Sequence, residues 1–307
     1  MKRNIQLLLA LLVLSVLGAC DKEEAPIVDF YFQVNGYEVS FKSKSVHTDA
    51  LLWSFGDDET STEANVVHTY KQSGEYVVTL KGTGKDGEFT EQKSVTILAS
   101  PEEILTGGPK AVNGKKWILS KVATNGKDGA GPIKPGFPIA QSAIDNVLAL
   151  VGLGAEYDNE FVFFADGRYK VNDQNGMVLS GLVHSVASQS IRIPSADPAI
   201  VPLSAAAHAP DDNAKWKMTR GNFSIDVGHL DLASGKVLLE ETVTFEDVTT
   251  LTIEGAEFFG IRDFTQTYVI KELLPNRMQV AFFLHASQDP ATIMKPSLML
   301  HLTYEAK

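Results

Sequence analysis

The stretch Trp53-Ser54-Phe55-Gly56-Asp57-Asp58 gives the first indication of a fold. Side chains alternate between the two faces of a strand, so Trp53 and Phe55 point to the same side while Ser54 points away. The Gly56-Asp57 pair that follows is typical of a tight turn. We therefore predict a strand that contributes two aromatic rings to a core and ends at Gly56.

Short alternating runs surround this strand on both sides. Phe30 to Val34 and Tyr37 to Phe41 flank an Asn35-Gly36 pair, and Glu75 to Leu80 and Lys93 to Ile97 alternate in the same way. Asn-Gly between two such runs is the strongest local signal for a hairpin, because both residues tolerate positive φ. Several short strands with no helical period predict a small β-sandwich over residues 27–99.

Three segments in this region resemble the PKD domain: Trp53 to Asp58, Val67-His68-Thr69-Tyr70, and Gly74 to Leu80. Ser54 and Asp58 depart from the residues that this family often carries, and both lie at the turn. The resemblance implies an Ig-like sandwich. Trp53 and His68 are expected in its core and its turn, not at a ligand site. We interpret this domain as a spacer.

The beginning of the chain carries a basic start, an apolar run from Ile5 to Leu17, and then Leu17-Gly18-Ala19-Cys20. This pattern predicts a signal peptide over residues 1–19, because the run is too short to span a bilayer. The four residues around Cys20 resemble the lipobox of bacterial lipoproteins, which implies lipid attachment at Cys20. Residues 20–26 form an acidic tether that resembles the export signal of Bacteroidetes lipoproteins. We expect an outer-membrane location facing the cell exterior.

Composition limits the remaining possibilities. The chain has 307 residues, of which 44% are hydrophobic, so two domains with proper cores are expected. The formal net charge is −11, which disfavours nucleic acid and anionic lipid headgroups as partners. Cys20 is the single cysteine, and a disulfide within the chain is therefore excluded.

Residues 100–112 contain two prolines and a glycine pair, which predict a linker with at most one helical turn. The second domain is predicted over residues 113–307. Apolar residues between Ile139 and Val151 recur with helical spacing and predict its one short helix, and Pro194 to Ala214 is interpreted as a surface loop. About nine strands are predicted in the remainder. They favour a larger lectin-like β-sandwich, with a lipocalin-like barrel as the alternative.

Hairpin segments of this domain, including Tyr157 to Phe163 with Asp166-Gly167, resemble Bacteroidetes surface glycan-binding lipoproteins. So does Tyr268 to Leu273. That resemblance implies a non-catalytic protein that binds a polysaccharide or oligosaccharide beside a TonB-dependent transporter of the starch-utilisation type. Members of the group often carry adjacent tryptophans after the Gly131-Pro132 loop. This chain has Gly136-Phe137-Pro138-Ile139 there instead.

Patterns for catalysis are missing from the sequence. Glu240-Glu241 and Glu246-Asp247 are adjacent pairs, which point to opposite faces of a strand, whereas retaining glycoside hydrolysis needs two carboxylates about 5 Å apart. None of the seven histidines has the spacing of a zinc motif. We expect no enzyme, no cofactor and no metal.

For glycan binding, the first candidate is Trp216, because an aromatic face can cover the C–H surface of a sugar ring. The neighbouring Asp211, Asp212 and Asn213 would read hydroxyl groups. The adjacent pair Phe258-Phe259 is a second candidate, since one ring of an adjacent pair on a strand points outward. For Trp216, a position in the core is the alternative, and for Phe258-Phe259 the alternative is a bulged, buried turn.

A second hypothesis is a lipocalin-like carrier, or an adhesion or structural lipoprotein, that binds a lipid or a protein partner. A closed barrel with an apolar cavity would favour this hypothesis. An open sandwich with exposed aromatic residues would favour glycan capture.

Overall fold

A computed structural model describes residues 25–196, 201–231, 236–287 and 294–307, so the predicted signal peptide and Cys20 lie outside the described residues. The chain divides into two compact units, and the boundary lies between Ala99 and Ser100. Most described residues are in strands, which confirms the all-β class. In the described part of the chain, no helix has the length and apolar character to cross a membrane.

The first unit is a sandwich of two antiparallel sheets, with strand orders β1-β2-β5 and β4-β3-β6-β7. Its strands are β1 Phe30–Asn35, β2 Glu38–Ser43, β3 Ala50–Ser54, β4 Thr60–Ser61, β5 Asn65–Thr69, β6 Gly74–Gly84 and β7 Gly87–Ile97.

Aromatic rings from both sheets fill the first unit. Trp53 and Phe55 are buried as predicted, and the Trp53 indole Nε1 donates to the Glu63 carbonyl at 2.7 Å. The His68 ring stacks on Phe55 at 4.1 Å, and its Nε2 lies 2.7 Å from Asp57 Oδ2. The Tyr70 hydroxyl donates to the Phe55 carbonyl at 3.0 Å. These contacts place Trp53 and His68 in the core.

The first hairpin forms one residue later than the Asn35-Gly36 pair suggests. Asn35 pairs with Glu38, so Gly36 and Tyr37 are the two turn residues. Only Gly36 has positive φ, at 61°, and positive φ at the first turn residue is the type II′ pattern.

Residues 100–112, for which the sequence predicts a linker with at most one helical turn, belong to the second compact unit. Helix α1 covers Pro101–Thr106, and Ser100 caps it by accepting a hydrogen bond from the Glu103 N–H. Leu105 is fully buried, and the Trp117 indole donates to its carbonyl at 2.9 Å. Leu105 thus packs into the apolar core of the second unit.

Within its described residues, the second unit contains thirteen strands and four short helical segments. Its strands are β8 Lys115–Leu119, β9 Gly129–Gly131, β10 Gln141–Ser142, β11 Glu160–Phe163, β12 Tyr169–Asn172, β13 Met177–Gly181, β14 Ile191–Pro194, β15 Leu203–Ala207, β16 Lys215–Asp231, β17 Lys236–Glu254, β18 Thr267–Leu274, β19 Arg277–Leu284 and β20 Leu298–Ala306. After α1, its helical segments are α2 Val147–Leu150, the 3-10 helix Gly154–Asp158 and α3 Leu182–Ala187.

Two predictions about local structure in this unit are wrong. The helix expected from Ile139 to Val151 is reduced to α2, and β10 occupies part of that segment. The predicted surface loop from Pro194 to Ala214 contains β15, which is mostly buried between β13 and β14. Its Leu-Ser-Ala-Ala-Ala sequence shows no alternation, because small residues fit on both faces of a covered strand.

The main sheet of the second unit follows the order β12-β11-β8-β20-β19-β18-β17-β16, and every neighbouring pair is antiparallel. Its two end strands meet at a bridge between Arg168 and Lys215. The Tyr169 N–H donates to the Ala214 carbonyl and the Trp216 N–H to the Gly167 carbonyl, each at 3.0 Å. The sequence leaves a sandwich and a barrel open for this domain. The strand order, with contacts between its two end strands, agrees with the barrel.

A segment between β17 and β18 fills the interior of the barrel. Phe258 and Phe259 are 1% and 0% exposed, and the Tyr169 hydroxyl donates to the Phe258 carbonyl at 2.7 Å. Gly260 has φ +66° and lies against Tyr304 and Phe282. Aromatic side chains therefore occupy the space around Tyr304 completely.

The outer face of β18, β19 and β20 is also covered. Val269, Ala281, Phe283 and Met299 form a second apolar cluster with Val227, Val243 and Phe245 of the long β16–β17 hairpin. A register shift between Gly221 and Phe223 divides this hairpin into two parts. The part before the shift pairs with the barrel strands, and the part beyond it supplies the residues that pack on the barrel's outer surface.

Gly260→Ala tests the fit inside the barrel. An added Cβ would overlap the Tyr304 hydroxyl and lie 2.8 Å from the Phe282 Cζ, in addition to the strain of positive φ. We expect the free energy of unfolding to fall by about 3 kcal/mol or more. Gly176→Ala is the matched control, because φ is +73° and nothing lies within 4 Å; it should lose about 1 kcal/mol. Equal losses of unfolding free energy in the two variants, measured by denaturant unfolding, would contradict the predicted steric fit.

Glu160→Gln tests a buried ion-pair network. The Glu160 carboxylate is 5% exposed and accepts from Lys116 at 2.8 Å and Lys307 at 2.6 Å. Burial alone would raise the pKa of Glu160, but these hydrogen bonds lower it to about 2. Because the folded pKa lies below the unfolded value, the stabilisation is present above pH 4.5 and disappears as pH falls towards 2.

As the pH falls through this window, the free energy of unfolding of the wild type should therefore decrease by up to about 3 kcal/mol more than that of Glu160→Gln. Urea midpoints measured from pH 7 to pH 2 would show the two curves converging. Parallel curves would rule out this role for Glu160.

Candidate functional site

A polar cleft opens on the outer surface of the second unit and encloses about 560 Å³. The two loops on either side of β9 form one wall, and β16, β17, β18 and β19 form the other. The cleft is lined by Gly126, Lys127, Gly136, Phe137, Arg220, Asp247, Val248, Thr249, Val269, Ile270, Lys271, Glu272 and Gln279.

Phe137 supplies the aromatic ring of the polar cleft. Its φ is +53°, which is uncommon for a bulky residue. The ring stacks on the buried Phe245 ring, with centroids 5.3 Å apart and planes 19° apart. The Lys271 ammonium lies 5.6 Å from the ring centroid. The stack holds Phe137 half-buried at the edge of the cleft.

Two groups of charged side chains border the polar cleft. Arg220 makes a two-point ion pair with Asp247 at 2.9 and 2.8 Å, and both side chains are exposed. Glu272 accepts from Lys127 at 3.0 Å and from Arg277 at 2.6 Å. The Lys127 hydrogen bond is the main reason that the pKa of Glu272 is lowered. The cleft is therefore bordered by donors and acceptors that pair with one another.

Beneath these pairs, the floor combines neutral and half-buried groups. Lys271 donates to His301 Nδ1 at 3.3 Å, and burial lowers the pKa of Lys271. Burial and the nearby ammonium lower the pKa of His301 to about 4, so His301 is neutral at pH 7. Gln279 is 3% exposed and lies 3.4 Å from Asp128 Oδ1, which also accepts from Thr303 Oγ1. The floor therefore offers hydrogen-bonding groups that are held in place by burial and by contacts with one another.

The polar cleft combines an aromatic ring with several hydrogen-bonding side chains, which suits reversible binding of a polar ligand that has one apolar face. In the ranges that the structure describes, no group of three or more His, Cys, Asp or Glu side chains is placed to hold a metal ion.

The structure puts the sequence-predicted site residues elsewhere. Phe258 and Phe259 fill the barrel interior, so neither ring points outward. The segment between β17 and β18 is not a strand and buries both rings, which agrees with the buried turn that was the alternative for this pair. Trp216 is half-buried, and its indole donates to the Phe164 carbonyl at 2.9 Å. Trp216 also packs against the barrel core.

Asp211 has a structural role in its turn. Its carboxylate accepts from the Ala256 N–H at 3.0 Å and from the Asn213 N–H at 2.9 Å, and these bonds lower the pKa of Asp211. Asp212 and Asn213 are exposed. A glycan role for Trp216 and residues 211–213 stays a prediction.

Sequence reasoning missed the residues of the polar cleft. Phe137, Arg220 and Lys271 are far apart in the chain, and only the sheet order brings them together. The one available signal was Gly136-Phe137, an aromatic residue in a loop rich in glycine and proline.

Comparison with known proteins gives a family for part of the chain. The PKD domain family matches residues 24–99. The pre-pro-metalloprotease PrtV of Vibrio cholerae is 27% identical over 109 residues, which are 34% of this chain and 12% of that protein. Collagenase ColA of Bacillus cereus is 42% identical over 62 residues, 20% of this chain and 6% of the collagenase. The chain thus spans a small part of these relatives.

Among solved structures, the PKD1 domain of PrtV from Vibrio cholerae is 34% identical and covers 24% of this chain and 98% of that domain, with a TM-score of 0.23. A carbohydrate-binding module of the β-sandwich superfamily is 13% identical and covers 92% of each chain, with a TM-score of 0.25. The family match, the two facing sheets and the buried Trp53 and Phe55 together identify the first unit as a PKD domain.

Proposed function

We propose that this chain is a non-catalytic, lipid-anchored surface protein that binds a polysaccharide or oligosaccharide for uptake by a TonB-dependent transporter. The observation that carries the proposal is the polar cleft, which combines the Phe137 ring with two groups of paired charged side chains. In this proposal the second unit binds the glycan and the PKD domain is the spacer.

The chemistry of the polar cleft matches that of a sugar ring. One face of a sugar carries C–H groups that an aromatic ring can cover, and its rim carries hydroxyl groups that both donate and accept. Phe137 would cover the apolar face. Arg220 and Asp247 present a planar donor and a planar acceptor side by side, which suits neighbouring hydroxyls.

The size of the polar cleft also supports this ligand class. Its volume of about 560 Å³ lies within the range of about 300 to 1,000 Å³ that is usual for small-molecule sites. The cleft lies on the outer surface of the barrel, so a longer chain could continue beyond the bound sugar.

Phe137→Ala tests the glycan proposal. Loss of a ring that covers the sugar should weaken binding about tenfold, or about 1.4 kcal/mol, measured by calorimetry against a panel of neutral and acidic polysaccharides. Phe89→Ala is the matched control, because Phe89 is a 43% exposed phenylalanine of the PKD domain. Its affinity should equal that of the wild type. Failure of the wild type to bind any polysaccharide, or equal losses in both variants, would refute the proposal.

Cys20→Ala tests the proposed anchor. If the cysteine of Leu17-Gly18-Ala19-Cys20 carries lipid, the wild type expressed in a bacterial host should incorporate labelled palmitate and fractionate with membranes. The variant should incorporate none. Cys20 is the single cysteine, so equal label in the wild type and in Cys20→Ala would contradict lipid attachment at Cys20.

A second candidate function is a lipocalin-like carrier for an apolar molecule. The strand order of the second unit, with its end strands joined at Arg168 and Lys215, favours it. The two functions are compatible, because the polar cleft lies outside the barrel and a carrier site would lie inside it.

A further inference from the structure

The interior of the barrel is filled at one end and open at the other. Along β20, Leu298, Leu300, Leu302 and Tyr304 share the inner face, since alternate residues of a strand point to the same side. Tyr304 is 0% exposed against the segment around Gly260. The three leucines are only half-buried, although they lie on the same face.

The space beside these leucines is an apolar pocket of about 170 Å³. Leu119 of β8, Leu148 of α2 and Leu203 of β15 face it from other elements. An engineered cavity of about 150 Å³ in another protein binds benzene. The apolar pocket is therefore large enough for one ring or a short alkyl chain.

The charged side chains around the apolar pocket do not favour a charged occupant. Its lining includes two charged side chains, Asp128 and Lys121. Both oxygens of Asp128 already accept hydrogen bonds, from the Thr124 N–H at 2.6 Å and from Thr303 Oγ1 at 2.8 and 2.9 Å. Lys121 is exposed and lies 3.5 Å from Asp158. A charged ligand inside would find no free partner among the described lining residues.

The rim of the apolar pocket is exposed and apolar. Val122 and Ile144 both line it and are 62% and 58% exposed. Burial of such surface is favourable by about 25 cal/mol per Å². An apolar molecule that enters past these two residues would cover them together with the inner leucines.

We propose that this apolar pocket binds a small uncharged apolar group, either a single aromatic ring or a short alkyl chain, with any polar end directed to the rim. Ser120, Gln141 and Ser142 line that rim and can hydrogen-bond a hydroxyl. This proposal names the ligand class of the interior carrier site and rests on that second candidate function. The site shares no lining residue with the polar cleft and does not depend on glycan binding.

Toluene and 1-hexanol are the probes for the test, because one presents a ring and the other an alkyl chain with a hydroxyl. Binding to the full chain is followed by NMR of the leucine methyl groups. A Cys20→Ser background keeps the protein's own proposed lipid from competing. We expect saturable shifts for at least one probe, and the probe that binds identifies the ring or the alkyl chain.

Leu300→Trp should fill the apolar pocket and weaken probe binding at least tenfold. Leu150→Trp is the matched control, because Leu150 is 67% exposed and does not line the pocket; its probe affinity should equal that of the wild type. Ala143→Phe fills the pocket from the opposite wall and repeats the test if Leu300→Trp does not fold.

Linear, non-saturable shifts for both probes, or equal affinity in the wild type and the folded filling variants, would overturn the proposal. Phe137→Ala should leave probe binding unchanged, and Leu300→Trp should leave glycan binding unchanged. Failure of one site is thus distinguishable from failure of the other.

Discussion

The second unit depends on how the segment from Phe258 to Ile261 enters the barrel. Two adjacent phenylalanines turn inward, and the chain can pass beneath the Tyr304 hydroxyl only because Gly260 has no Cβ. The hydroxyl groups of Tyr169 and Tyr268 bond the backbone of this segment at Phe258 and Phe259. Backbone polar groups are thereby satisfied in an aromatic interior, where an unmade hydrogen bond would cost about 1 to 3 kcal/mol. Because this packing fills one end of the barrel, the remaining apolar space lies at the other end.

The sequence contains enough local information to predict the first unit almost completely. Trp53 and Phe55 alternate on one strand, and their turn residues follow directly, so a short stretch determines both the strand and its buried face. The hairpin with Gly167 at positive φ is predictable for the same reason. Closure of the barrel is different. It depends on a contact between Arg168 and Lys215, which no local pattern encodes.

The candidate site was harder to predict because its residues carry no shared sequence signal. Tryptophan and clustered acidic residues drew attention to Trp216 and 211–213, but the Trp216 indole is used to bond the chain at Phe164. The polar cleft instead uses Arg220 and Lys271, which resemble any charged residues on exposed strands. The sheet order and the loop that carries Phe137 bring these residues into one cleft, and long-range packing determines both.

Strand alternation explains how one sheet can carry two kinds of site. On β20, Leu300 and Leu302 face the apolar pocket, whereas the intervening His301 faces Lys271 and Phe137 beneath the polar cleft. Neighbouring residues thus belong to surfaces of opposite chemistry, separated by one layer of backbone. A shift of one residue in the pairing of β20 would exchange the two surfaces, placing leucines under the cleft and a histidine in the apolar interior. The continuous register from Arg277–Glu305 to Leu284–Leu298 is therefore what keeps the two sites distinct.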